Sequence, residues 1–206
     1  MVSTDGTVHI AAVSGSQRAG SYNSGLVRAL QNIASKRGSI EITQVEGLAD
    51  LPFASVENAY VEAPDSVKRV HAQISAADGV IVATPEYCYS LPALLKNFFD
   101  WQTLPVPAEN PLRHKPLGIV GASIGVIGTN RAQMELRRIA LYSDLEVMGR
   151  PEIYVNEAGD KFSKDGDLTD EATLTLLERW LDDYEEFVRS TMARKLPSLH
   201  REYLTT

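Results

Sequence analysis

The chain has 206 residues, 44% hydrophobic and 23% charged, with 20 basic against 27 acidic side chains and a formal net charge of −7. A chain of this length buries enough surface to need neither disulfides nor a structural metal, and its composition excludes extended disorder. The acidic balance disfavours nonspecific binding to nucleic acid or anionic membrane, the single cysteine excludes an internal disulfide framework, and no stretch reaches the ~18 apolar residues of a membrane span.

The first ten residues, MVSTDGTVHI, have no basic region followed by an apolar one, so no secretory signal is expected and the location expected is cytoplasmic. His9, His71, His114 and His200 are scattered without metal-ligand spacing, and no metal is expected. Residues 8–13 (VHIAAV) read as a buried strand ending at Ser14 and Gly15. Residues 23–36 read as a helix with Leu26, Val27, Leu30 and Ile33 on one face and Gly38 as its stop. Residues 40–45 (IEITQV) alternate as a second strand. After a loop with Pro52, Pro64 and Asp65 start a helix carrying Val67, Val70 and Ile74. Residues 79–84 (GVIVAT) are a third strand, uncharged as a strand covered on both faces would be.

Pro92 starts a helix through Trp101, followed by a proline-rich loop over 105–111 and a fourth strand over 117–121. Residues 131–145 read as a helix and 151–155 as a fifth strand. KFSKDGDLTD reads as a polar hairpin or loop, and a last helix runs from 170 to about 195. Strands alternating with helices give a parallel sheet with right-handed crossovers. Five strands in a chain of this length fit an α/β, flavodoxin-like doubly wound sheet of order 2-1-3-4-5 with helices on both faces. One domain over 1–206 is expected, with a C-terminal helix and a short tail. Ligands of such sheets bind beyond the carboxyl ends of the strands, so the loops after strands 1, 3 and 4 are the candidates.

The first loop runs from Gly15 to Ser24 and holds Ser16, Ser21 and Ser24 hydroxyls, the Asn23 amide and the Arg18 cation beside a helix start. It reads as a phosphate cradle or, equally, as a polar loop capped by Ser21 or Asn23. It is neither a Walker loop nor Gly-x-Gly-x-x-Gly. The second loop, TPEYCYSLP over 84–92, is stiffened by two prolines. Its aromatics would flank a flat ring, or it is a rigid turn with two surface tyrosines. The third, over 121–128 (GASIGVIG), is small enough for close approach by a ligand. It also matches Gly-x-Ser-x-Gly, the nucleophile elbow of hydrolases, but the only histidine downstream is His200 in the expected tail.

Together, SGSQRAGSYN from Ser14, TPEYCYSLP with Leu95-Lys-Asn, and GASIG from Gly121 resemble the NAD(P)H-dependent FMN reductase family, which includes bacterial chromate and quinone reductases and azoreductases. The resemblance covers roughly residues 8–145, and all three motifs match in order and spacing. It implies a flavodoxin-like fold, FMN as cofactor and NADPH or NADH as reductant. It places Ser16, Arg18, Ser21, Asn23 and Ser24 around the FMN phosphate, with Arg18 alternatively serving the NADPH phosphate. Pro85, Glu86, Tyr87, Cys88 and Tyr89 would line the isoalloxazine mostly through backbone groups, and Ser123 and Gly125 its other edge. The family usually has Asn where Cys88 stands, so a side-chain amide donor is lost here.

The implied function is FMN-dependent transfer of electrons from NAD(P)H to a small acceptor: free flavin, a quinone, an azo compound or chromate. The flavin carries the chemistry. No side chain is expected as an obligatory acid or base, and the two substrates would share one flavin face in turn. The alternatives are a non-catalytic electron-transfer flavodoxin, against which Arg18 speaks, and an esterase using Ser123. Residues 94–101 (LLKNFFDW) are apolar nearly all round, more than one sheet contact requires. This excess predicts a homodimer or homotetramer with that helix near the interface, the alternative being cover by the 105–111 loop. Lys96 and Asn97 are expected to fix the loop and helix start, and the acidic face of the last helix to be solvated.

Overall fold

Uncharged β-branched runs form the inner strands of the computed structural model, and amphipathic stretches form the helices that cover them. The structure describes residues 6–57, 63–104 and 110–194. In chain order the strands are β1 (Val8–Ser14), β2 (Ile40–Gln44), β3 (Gly79–Ala83), β4 (Pro116–Ala122), β5 (Glu146–Val147) and β6 (Ile153–Val155). The helices are α1 (Tyr22–Arg37), α2 (Asp65–Ala76), α3 (Ala93–Thr103), α4 (Asn130–Tyr142) and α5 (Glu171–Ala193). The sheet is parallel with order β2-β1-β3-β4-β5, the doubly wound order the sequence predicts. Among the described residues no helix is long and apolar enough to cross a membrane.

The fifth position of the sheet differs from the single strand expected over 151–155. It is filled by two short pieces along β4: β5 opposite Pro116 and Leu117, and β6 opposite Val120 to Ala122. Pro151, between them, has no N–H to give a ladder, so the edge is interrupted there. α1 stops as predicted at Gly38, whose left-handed φ of 72° lets its N–H reach the Ala34 carbonyl. The 161–170 segment is a hairpin, with Phe162 bridging Leu168 in antiparallel fashion.

Alternation along the strands splits the core between the two faces. Ile10, Ala12, Ile81 and Val120 pack with α1 and α5, whereas Val13, Val80, Val82 and Ile119 pack with α2, α3 and α4. On the first face the buried rings of Trp180 and Tyr184 stack 5.2 Å apart at 7°. They lie against Gly118 and Gly79: a Cβ on Gly118 would come within 2.7 Å of the Trp180 ring, and one on Gly79 within 2.8 Å of the Tyr184 hydroxyl. That hydroxyl donates toward the Val80 and Pro116 carbonyls at 2.8 and 3.2 Å, and burial pushes its pKa far up.

On the second face the excess apolar surface of α3 is covered within the chain. Trp101 is fully buried and donates Nε1–H to the Pro52 carbonyl at 2.7 Å. Asn97 accepts from the Ala54 N–H and donates to Pro52, while the buried imidazole of His71 lies 3.3 Å from the Trp101 carbonyl. Cover therefore comes from the loop after β2 and from α2. This removes the reason for placing an oligomer interface on α3. The other cover considered, the loop over 105–111, is described only from 110 onward.

Candidate functional site

The carboxyl ends of β1, β3 and β4 bring the three predicted loops together around a cavity of about 420 Å³, within the usual range for small-ligand sites. Its lining includes Ser16, Arg18, Ser21, Asn23, Pro85, Glu86, Tyr87 and Ser123 from the predicted set, and adds Tyr22, Ala122 and Ile124. Ser24, Cys88, Tyr89 and Gly125 stand outside that lining. A larger, shallow depression of about 950 Å³ between Arg150, Tyr154 and Phe187 carries the carboxylates of Glu152, Asp183 and Glu186 and offers no comparable donor set.

Loop one is held from behind. Gly15 donates to the Ala83 carbonyl at 2.8 Å, and a Cβ there would meet Leu95 at 2.7 Å and Pro85 at 2.9 Å. Loops one and two are therefore in close contact at Gly15, where a side chain would press on Pro85 and Leu95. Ser24 is turned away from the cavity, its hydroxyl 2.9 Å from that of Ser14. Asn23, 3% exposed, has its amide engaged with Ala122: Nδ2 donates to the carbonyl, and Oδ1 accepts from the N–H, both at 3.0 Å.

Ser21 caps α1 by accepting from the Ser24 N–H at 3.3 Å, and its own carbonyl accepts from Gly25 at 2.9 Å. The remaining first-turn N–H groups, of Tyr22 and Asn23, have no acceptor among the described residues and lie at the positive end of the helix dipole. The Arg18 guanidinium sits 5.0 Å over the Tyr22 ring and donates only to the Ala19 carbonyl at 3.3 Å, with no carboxylate partner among the described residues. A cation, hydroxyls of Ser16 and Ser21 and two open N–H groups line this end of the cavity, a donor set chemically suited to an anionic group.

The second loop is a two-residue hairpin turn. Tyr87 and Ser90 exchange both backbone hydrogen bonds, at 3.1 and 2.9 Å, and Cys88 and Tyr89 have φ of 50° and 63°. Positive φ at both central residues marks type I′, a turn that favours Asn and Gly over Cys and Tyr. Tyr87 is 50% exposed, and with Ile124 it gives the cavity an apolar rim. Glu86 reaches the start of α4. Its carboxylate accepts from the N–H groups of Arg131 and Ala132 at 2.9 and 3.3 Å and pairs with the Arg131 guanidinium at 3.0 Å. Arg131 in turn lies 4.4 Å over the Tyr89 ring. Sequence reading placed Glu86 and Tyr89 against the ligand; nothing local in the sequence signals their ties to a helix 45 positions on.

In the third loop Ser123 accepts at Oγ from the Gly125 N–H at 3.2 Å and donates its own N–H to Val155 at 2.9 Å. Ser123 is not among the residues with positive φ, so it lacks the strained conformation of a nucleophile elbow. No histidine lines the cavity, and His200, the one candidate triad member, lies outside the described residues.

Residues 8–160 match the family model described as NADPH-dependent FMN reductase. The chain is 35% identical to the NAD(P)H-dependent FMN reductase of Pseudomonas aeruginosa over 182 residues, which cover 88% of this chain and 96% of that protein. It is 36% identical over 185 residues to the quinone reductase of Escherichia coli, with the same two coverages. Among solved structures, the flavoenzyme NAD(P)H:(acceptor) oxidoreductase FerB of Paracoccus denitrificans superposes with a TM-score of 0.80 at 32% identity, covering 90% of this chain and 99% of that one. The flavodoxin-like strand order and these similarities agree: the chain belongs to the NADPH-dependent FMN reductase family.

Proposed function

We propose that the 420 Å³ cavity holds FMN and that the chain uses it to pass electrons from NADPH or NADH to a small acceptor such as free flavin, a quinone, an azo compound or chromate. The observation that carries this reading is the pair of open N–H groups at the start of α1, facing Arg18 and the Ser16 and Ser21 hydroxyls in a cavity rimmed by Tyr87 and Ile124. One end suits a phosphate dianion and the other a flat apolar ring, so the residues present fit the cofactor.

Bound FMN supplies the hydride and electron chemistry. The chain's residues bind and orient. Arg18 and the N-terminus of α1 would hold the phosphate, and Pro85 to Tyr87 with Ser123 would wall the ring. Glu86 is the one carboxylate among the lining residues. With its oxygens engaged by α4 it is not a free acid or base, which supports a mechanism without an obligatory protein proton donor.

The test is a visible spectrum of the desalted protein before and after addition of FMN, followed by anaerobic NADPH and, separately, NADH. Flavin bands that bleach support the reductase. Bands that persist with both reductants indicate electron transfer without nicotinamide oxidation. Hydrolysis of an activated ester, abolished in Ser123→Ala, would instead support the esterase. A cytoplasmic homodimer or homotetramer completes the reading. With α3 covered, its support is the exposed Ile124, Val126 and Ile127 after β4 and Leu141 and Tyr142 at the end of α4. A clean monomer in light scattering at low micromolar concentration would exclude the oligomer.

A further inference from the structure

We propose that Glu86 is a positioning residue for the cofactor: its carboxylate caps α4 from the loop after β3 and so fixes the wall of the cavity formed by Pro85 to Tyr87. The inference rests on the FMN reading of that cavity.

α4 lacks a cap of its own. Thr129, at its N-cap position, makes no side-chain capping bond, and only the Gln133 N–H is satisfied locally, by the Thr129 carbonyl at 2.9 Å. Glu86 supplies what is missing. Oε2 accepts from the Arg131 and Ala132 N–H groups, and Oε1 takes the Arg131 guanidinium at 3.0 Å, with the Glu86 side chain only 9% exposed. A carboxylate at a helix N-terminus also meets the positive end of the macrodipole, and each of these bonds is charge-assisted.

The same contacts run the other way, from α4 to the loop. Cys88 and Tyr89 both sit in the left-handed region, which such side chains rarely adopt unless the surroundings hold them there. The turn is pinned on either side: Glu86 is bound to the start of α4, and Tyr89 lies beneath the guanidinium of Arg131. Glu86 also fills the N-terminus of α4 with the chain's own anion, while the N-terminus of α1 keeps two N–H groups open. The starts of α1 and α4 thus have different tasks, one for a ligand anion and one for holding the loop.

The experiment compares wild type, Glu86→Ala, Glu86→Gln and Arg131→Met. Its readouts are FMN dissociation constant, flavin absorption band shape and amide hydrogen exchange of the apoprotein. Loss of a cap predicts about a tenfold weaker FMN complex in Glu86→Ala. It also predicts faster exchange confined to the 85–91 loop and the Arg131 and Ala132 amides. Glu86→Gln, which keeps a neutral acceptor for those amides, should recover part of the affinity. Should Glu86→Ala not fold, Glu86→Gln and Arg131→Met carry the test through exchange at the same amides. Wild-type affinity, band shape and exchange in the variants that fold overturn the proposal, even where thermal stability falls. Failure of the wild-type protein to bind FMN overturns the reading of the cavity, and the proposal with it.

Discussion

Asn23 and Ala122 form a closed amide pair, side chain to backbone, with both hydrogen bonds at 3.0 Å across 99 positions of sequence. The pair ties the first turn of α1, with its open N–H groups, to the end of β4. Asn23→Ala leaves the buried N–H and C=O of Ala122 without these partners and should cost about 2–4 kcal/mol of stability. Asn23→Asp can still accept but not donate, and it puts a negative charge beside the open N–H groups. It should therefore weaken FMN binding more than Asn23→Ala does; chemical denaturation and FMN titration of both variants check this.

Arg18 has no carboxylate partner among the described residues and overhangs the cavity. Its loss in Arg18→Gln should weaken FMN binding by about tenfold or more, the worth of a charge-assisted bond to phosphate. The loss should shrink as salt is raised. Riboflavin, which lacks the phosphate, should bind the variant and wild type alike. Equal FMN affinity in the two proteins would remove Arg18 from the phosphate site.

Gly25 and Gly166 are in closer contact than any side chain allows: a Cβ on Gly25 would sit 1.9 Å from the Gly166 carbonyl oxygen. A helical Gly→Ala change ordinarily stabilises by about 1 kcal/mol. Here it must push the 161–170 hairpin off α1, against the Arg28–Asp167 ion pair and the Tyr22–Phe162 ring contact at 4.9 Å. Gly25→Ala should therefore destabilise by about 1–3 kcal/mol, read as a lower Tm. An unchanged or raised Tm would show that the hairpin yields freely.

Cys88 holds a φ of 50° where the type I′ turn favours Asn. Cys88→Asn should raise stability by up to about 1 kcal/mol through backbone preference alone. Differential scanning calorimetry of the apoprotein checks this. A lower Tm would mean that the thiol contributes a contact outweighing the turn.

His71 is buried between α2 and α3, and desolvation holds its pKa below the ordinary 6.5, partly offset by the Trp101 carbonyl. The unfolded chain therefore binds the proton more readily than the folded one. The contribution of the neutral ring is fully present above pH 6.5 and is lost as pH falls through that value toward the lower folded pKa. Denaturation curves between pH 7.5 and 5 should show stability declining, and His71→Gln should flatten that part of the decline.

The central strands were legible because burial on both faces leaves β1, β3 and β4 almost without polar side chains, and Gly38 marked the end of α1 through its left-handed φ. The two-residue β5 was not, because its pairing is fixed by β4 and not by its own pattern. Three loops around one cavity followed from strand order, and so did most of its lining. What each side chain does there did not follow. Asn23 and Ser24 belong to sequence motifs for phosphate, yet the amide of one is spent on Ala122 and the hydroxyl of the other faces Ser14. Glu86 lines the cavity as the sequence places it, but nothing near it in the chain signals that Arg131, remote in sequence, takes its carboxylate. Pairings over such distances leave no local periodicity to read. Nor does the apolar surplus of α3 reveal its cover within the chain, since Pro52 and Ala54 lie in an irregular loop.

The stacked Trp180 and Tyr184 give the order of synthesis a role in folding. The groove they fill is cut by Gly79 and Gly118 in strands made much earlier, and it is closed by a helix ending at Ala193. Until α5 clears the ribosome, that face of β3 and β4 is covered only in part, by α1. A nascent chain stalled before Glu171 should therefore expose that face to chaperones and proteases, and protection should arrive late and in a single step. Pulse proteolysis of stalled chains of increasing length would time that step.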